Sequence, residues 1–525
     1  MMLNLFLVNI EITYEFRGML EVVKKYRDLL ILVLLCSCLS HTANAKLNDI
    51  ELCSEVFAYN GEAYFCGDHA QLGREIFRSD GTSSGTSVVK DIDIGLGSSS
   101  PQAFFEYRGF MFFFAETTLT GMALWRSDGT SAGTKLIKML GLSSSVYLGK
   151  VVRALDIGDE LLVQTHNHLL RTDGTHSGTS LVEALITSSF SSSLSYWPAT
   201  TFIYQNGLLY FITWNRLFKM ELSDDMPTLI REIPSVSGYY PAAIIEGGFS
   251  QSSIQFTNSN SIWRSDGTRS GTEEILSNIY VVAPLNTGVL YCDLNDGSLY
   301  VRQAGSSTST LIFEDIHSKC QVLNFGNVGG SMLLRVGYGD ENAIWVTNGT
   351  VGSTKKVTDS VSPGYGGYGI YKSPKGYLFS GDSGVTGRSE LWRTDGSSSG
   401  TRKVKNFNLG TITNFTAASS GVFFTFNSRA GYQLWHSDGT SNGTILVKNI
   451  PRYIDDWSRW TEGHRIYFTV DHKLWHSDGT PGGTYKLRYW TPDEPVSIVN
   501  PATLIFPILM FLLDECMPVT TDVCN

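Results

Sequence analysis

Eight aspartate or asparagine side chains recur in one local setting, Asp/Asn-Gly-Thr/Ser-x-x-Gly/Ser-Thr, beginning at Asp80, Asp128, Asp173, Asp266, Asn348, Asp395, Asp438 and Asp478. Oxygen donors in such numbers raise calcium, a hard cation that takes about six to eight oxygens. Each copy supplies only one carboxylate or amide, with no acidic residue at alternating positions, so no metal site is expected. Capping of the turn fits better: an Asp or Asn side chain accepts from the backbone two residues on, and glycine reaches positive φ without strain. His436 and His476 stand just before two copies, where Arg78, Arg126, Arg171, Arg264 and Arg393 stand in others. That equivalence makes them surface or edge residues, not a catalytic pair. No nucleophile motif, metal-binding His pair or phosphate loop occurs, so the sequence names no catalytic residue and no cofactor.

The elements that position these side chains are strands. Six copies follow an apolar residue and a tryptophan, at Trp125, Trp263, Trp345, Trp392, Trp435 and Trp475; the first and third copies carry Phe77 and Leu170 there. β-formers follow each turn, as in Thr86-Ser87-Val88-Val89, which predicts a hairpin with a loop of about five residues. Upstream lies a second signal, a Gly turn before an apolar run: Asn60-Gly61, Arg108-Gly109, Asn206-Gly207 and Glu462-Gly463. Two hairpins in series make a four-stranded meander.

The Gly turn persists where the Asp-Gly turn has decayed, ahead of Glu221 and Gln303, which gives ten units. From Asp80 to Asp478 the nine intervals span 398 residues, a period of about 44. Four strands in that length is a propeller blade. The expected fold is therefore an all-β propeller of about ten four-stranded blades. Two five-bladed propellers, with a seam near Ile279–Pro284, are the alternative. The repeated Trp is expected to fill the space between blades.

At 525 residues, 42% apolar and 17% charged, the chain can bury a large core, and its net charge of −10 argues against nucleic acid as a partner. Residues 1–45 read as an N-terminal extension plus a secretory signal: Lys24, Lys25 and Arg27, then Leu29 to Leu35, then Ala43-Asn44-Ala45. Residues 46–490 form the repeat domain and 491–525 a tail. The tail's apolar run, Ala502 to Leu513 around Pro507, is expected to pack on the propeller, and is the one segment through which the chain could meet a membrane. Six cysteines follow the signal; the short-loop pairings are Cys53 with Cys66, Cys292 with Cys320, and Cys516 with Cys524. Asn348, Asn414 and Asn442 begin glycosylation sequons.

The run Leu124 to Thr134, repeated from Ile262 to Thr272, resembles the ELWxxDGT repeat of secreted and surface proteins, mostly bacterial. Membership would imply a β-propeller-like repeat and no particular activity. The turn is also similar to the Asp box of sialidases and sortilin-type propellers. Here the Trp precedes the Asp, so no sialidase chemistry is carried over.

In a meander, the connections between blades share a face with the loops between second and third strands. These connections hold an aromatic excess: Tyr147, Tyr196, Trp197, Tyr239, Tyr240, Tyr365, Tyr368, Trp457 and Trp460. Such side chains offer large contact area at low entropic cost. The expected function is a secreted or cell-surface protein that binds a protein or glycan on this face without catalysis. The alternative is a carbohydrate-active enzyme, a glycoside hydrolase or lyase with paired carboxylates at the central channel.

Overall fold

The computed structural model describes residues 45–492, except 143–150, 183–201, 223–226, 235–242, 245–252, 315–319, 338–342, 364–368, 383–388 and several gaps of one or two residues. It has two units, Asp49–Tyr489 and the two chain ends. At the ends, the strands Ala45–Asp49 and Arg488–Pro492 pair as a two-stranded sheet, with Asn48 Nδ2 donating to Thr491 Oγ1 at 2.5 Å.

The larger unit is a β-propeller of ten antiparallel sheets. Blade 1 comprises Phe57–Tyr59, Glu62–His69, Gly73–Ser79 and Ser87–Lys90. Nine more blades begin at Gln102, Arg153, Phe202, Ala243, Ile279, Val322, Ser362, Gly410 and Ile454, each with its strands paired in chain order. Blade 8 alone has five strands: Ser362–Pro363 and Tyr371–Ser373 both pair with Gly376–Asp382 and together fill the innermost place. First hairpins turn tightly because two successive residues take positive φ, as at Asn60 (50°) and Gly61 (79°).

Blades are covered on both faces, so their central strands bury consecutive residues instead of alternating. Met111 through Ala115 in the second strand of blade 2 are all buried. Among the described residues an apolar cluster occupies every seam between consecutive blades. Tyr64 and Ile76 of blade 1 meet Phe113 and Trp125 of blade 2, and Leu378 of blade 8 meets Phe424 and Trp435 of blade 9. Burial of each such large side chain contributes about 1.5–3 kcal/mol relative to exposure.

Closure of the ring excludes the arrangement of two five-bladed propellers. Blades 5 and 6, where a split would fall, are joined by Ile262, Ile279, Val289 and Tyr291. Blade 10 closes on blade 1 through Tyr467, Leu474, Phe65 and Phe77. A strap, Ile50 to Cys53, is hydrogen-bonded to both: the Leu474 N–H donates to Ile50 O (3.0 Å), while the Asp68 N–H donates to Glu51 O and that of Cys53 to Cys66 O, each at 3.0 Å. The Cys53–Cys66 disulfide pins the strap to blade 1, with Cα atoms 5.1 Å apart. Cys292–Cys320 ties the second strand of blade 6 to the entry of blade 7. Both are expected pairings; Cys516 and Cys524 lie outside the described residues, as do residues 1–44 and 493–525.

Candidate functional site

Each Asp-Gly turn joins the third and fourth strands of its blade, in blades 1, 2, 3, 5, 7, 8, 9 and 10. In blade 2, Asp128 Oδ1 accepts from the Thr130 N–H (2.9 Å) and hydroxyl (2.7 Å). Thr130 Oγ1 in turn accepts from the Gly133 N–H at 2.9 Å. The Thr134 hydroxyl donates to Thr130 O (2.6 Å) and pairs with Ser127 Oγ (2.7 Å), which accepts from the Gly129 N–H (3.0 Å). The same bonds recur around Asp80, Asp173, Asp266, Asp395, Asp438 and Asp478. Six or seven residues separate the paired strands, not the expected five.

One oxygen of each carboxylate, Oδ1, is thus engaged by its own turn. The Thr130 hydroxyl and N–H hold the Asp128 carboxyl below the usual carboxylate range, and Thr175, Thr268 and Ser397 do the same for Asp173, Asp266 and Asp395. At Asp80, Asp438 and Asp478 partial burial works against the shift and the donated hydrogen bonds prevail. Glycine at the sixth position is a matter of space: a Cβ on Gly133 would lie 1.9 Å from Asp128 Oδ1. Blade 7 departs at both places. Ser353 replaces the glycine, the turn becomes a 3-10 turn over Val351–Ser353, and Ser353 Oγ donates to Asn348 Oδ1 at 2.5 Å.

Each of the eight corners seats its blade on the preceding one. A Cβ on Gly129 of blade 2 would lie 2.4 Å from Tyr64 Oη of blade 1. The same contact is made by Gly396 with Val328, Gly479 with Phe423 and Gly81 of blade 1 with His476 of blade 10. Bases on the fourth strand reach forward in compensation. Lys90 Nζ donates to Ser131 O (3.2 Å), Lys405 Nζ to Thr444 O (3.4 Å), and Arg231 and Lys448 to Thr272 O and Thr484 O. Four of the tryptophans stack on their cross-strand partners in these seams, Trp263 on Phe256, Trp392 on Phe379, Trp435 on Phe424 (6.4 Å) and Trp475 on Phe468, whereas Trp345 meets Phe313 of blade 6 edge-on at 4.4 Å. In three of them the indole N–H donates to the residue two before it, Trp263 to Ser261, Trp392 to Glu390 and Trp435 to Gln433, while that of Trp125 is buried without a partner among the described residues.

The two histidines are not surface residues. His476 is 5% exposed and lies between Tyr467 and Tyr485, each ring 5.5 Å away. Burial, reinforced by the Arg465 charge, pushes its pKa down to about 4. His436 is also shifted down by burial, in the equivalent seam against Gly479. Repeat equivalence located both correctly at blade edges, but those edges are covered by the next blade.

Of the aromatic residues expected on the opposite face, Tyr147, Tyr196, Trp197, Tyr239, Tyr240, Tyr365 and Tyr368 lie outside the described residues. Trp457 is placed by its backbone alone, in the strand Ile454–Glu462. Trp460 is half-buried against the seam of blades 10 and 1. What this face does display is the connection from blade 1 to blade 2. Glu75, fully buried, accepts from the N–H groups of Ile92 (2.9 Å), Asp93 (3.3 Å) and Ser99 (3.2 Å) and from Ser99 Oγ (2.6 Å). Asp93 Oδ1 accepts from Thr118, fastening the connection to the neighbouring loop. The apex of this fixed connection carries Ile94 and Leu96, 88% and 82% exposed, beside Leu119 at 94%. Sequence reasoning sought aromatic rings and passed over these aliphatic ones, although Asp91-Ile-Asp93-Ile-Gly-Leu-Gly places two apolar side chains in a turn-rich connection.

Among the described residues, no group of three or more His, Cys, Asp or Glu side chains is arranged to hold a metal ion, and no helix is long and apolar enough to cross a membrane.

No family model and no curated protein sequence matches the chain. Solved structures similar to it include one from a study of two prolyl endopeptidases (12% identity, 72% of this chain and 53% of that one, TM-score 0.33) and the tricorn protease (9%, 83% and 49%, 0.27). A third is PorZ, a surface component of the type-IX secretion system of Porphyromonas gingivalis (14%, 85% and 60%, 0.25). The chain spans about half to three fifths of the length of each.

Proposed function

We propose that this chain is a secreted or cell-surface propeller, of the ELWxxDGT kind, that binds a protein or glycan ligand through the face of its inter-blade connections. The observation that carries the reading is the connection held by Glu75, which displays Ile94 and Leu96 beside Leu119. Apolar side chains so exposed cost free energy in water, and a fixed backbone lowers the entropy lost when they are covered. Two disulfides support an oxidising compartment. The buried carboxylates of the described residues serve as anchors: Glu75 holds a connection, and Glu390 holds Trp392 and Lys403.

Binding of the labelled mature chain to a glycan array and to intact cells tests the proposal. The double variant Ile94→Ser, Leu96→Ser is expected to lose the signal with little change in melting temperature, since both side chains are exposed. Undiminished binding by the folded double variant would discard this surface. Trp460 is a poor probe because its replacement opens the seam it packs in.

A further inference from the structure

Blade 6 lacks the Asp-Gly corner, and at the place where the eight corner-bearing blades carry a buried Ser or Thr, one residue before the Asp position, it carries Arg302. Arg302 pairs with Val289 on one side and Ser309 on the other, so its side chain shares a face with Tyr300, in the seam toward blade 5. It is 8% exposed, and its Nε has no hydrogen-bond partner. Among the described residues the guanidinium is matched by no carboxylate; the nearby charged group is another cation, Arg264, itself paired with Glu273. The acids of the preceding loop are engaged elsewhere. Asp293 Oδ1 accepts from Asn295, and Asp296 accepts from Ser298 and from the Tyr300 hydroxyl.

A buried guanidinium without a counter-charge is costly, and burial accordingly depresses its pKa. An external oxyanion would supply the missing partner, and the planar fork of arginine suits carboxylate, sulfate and phosphate alike. Arg302 lies one residue from the end of the third strand, Leu299–Gln303, on the side that carries the corners in eight other blades. We propose that Arg302 is the anchor of an oxyanion site between blades 5 and 6, which takes a carboxylate, sulfate or phosphate group of a ligand. This site stands apart from the Ile94–Leu96 surface and does not depend on it.

Thermal unfolding of the mature chain in sulfate, phosphate and acetate, each against chloride at matched ionic strength, tests the site and separates the three groups. The wild-type chain is expected to show a saturable rise in melting temperature with at least one of them. Arg302→Met should abolish the saturable part and melt above wild type in chloride, because an unpaired buried charge has been removed. Arg302→Gln, which keeps a polar side chain, should weaken the apparent affinity at least about tenfold, the ratio expected when a charge-assisted hydrogen bond is lost. An anion response equal in wild type and either folded variant is surface exclusion of the salt, and would overturn the site. So would a melting temperature in chloride lowered by Arg302→Met, which would mean that the guanidinium already has its partner.

Discussion

At the residue scale the corner is a closed circuit of donors and acceptors, which explains why its residue types recur together. Ser437 is fully buried, pairs with Thr444 Oγ1 at 2.7 Å and accepts from the Gly439 N–H at 3.2 Å. Ser437→Ala strands that N–H and is expected to cost about 1–3 kcal/mol in chemical denaturation; Ser437→Thr should cost less, since Thr172, Thr347 and Thr394 serve at the equivalent place. The pH dependence has two windows of different origin. His476 has a folded pKa of about 4 against an ordinary value of 6.5, so its folded form binds fewer protons than the unfolded chain between these values. Its stabilising contribution is complete above pH 6.5 and declines as pH falls toward 4. The corner aspartates, also depressed in the folded state, contribute fully above their ordinary value of 3.8 and lose that contribution below it. Melting temperature followed from pH 7 to 3 should therefore fall in two stages, and His476→Phe should shrink the first without touching the second, the remainder of the first coming from the other histidines depressed by burial, His69, His168 and His436. Asp capping and the glycine turn were legible from residue type. The Ser or Thr before each Asp was not, because hydroxyl residues are common in strands and only its burial beside the final Thr reveals the bond.

At the element scale the seams decide stability. The closing strap lies between the second strand of blade 1 and the third of blade 10, and Cys53–Cys66 is the covalent link that holds it. Cys292–Cys320 plays the corresponding part at the entry of blade 7 and closes a longer loop, with a sequence separation of 28. Removing the latter by Cys292→Ser with Cys320→Ser is expected to cost about 3–4 kcal/mol, read from the denaturation midpoint, and the former somewhat less. Strand number and pairing order were readable from the two kinds of turn, since each fixes a hairpin. The direction of blade contact was not, although the sequence holds the trace of it: a base stands ten residues after the corner position at Lys90, Lys138, Arg231, Lys405, Lys448 and Arg488. Four of these reach the next blade's corner, a partner about one repeat away that local pattern reading does not consider.

At the scale of the whole molecule, ten blades close without a second ring because every corner rests on the blade before it and the first rests on the last. Tyr485 completes that last contact by donating its hydroxyl to Gly81 O at 2.7 Å. A repeat period of about 44 residues fixed the blade but not the blade number, which depends on small rotations between sheets that no single repeat encodes. Closure has a direct chemical signature, because two ion pairs join the start of the propeller to its last blade. Lys473 pairs with Glu51, and Lys486 Nζ lies 2.5 Å from Asp49 Oδ2. Zero-length carbodiimide cross-linking of the folded chain, followed by peptide mass spectrometry, should recover Glu51 joined to Lys473. Absence of that product, with blade 1 joined instead to blade 5, would contradict a single ten-bladed ring.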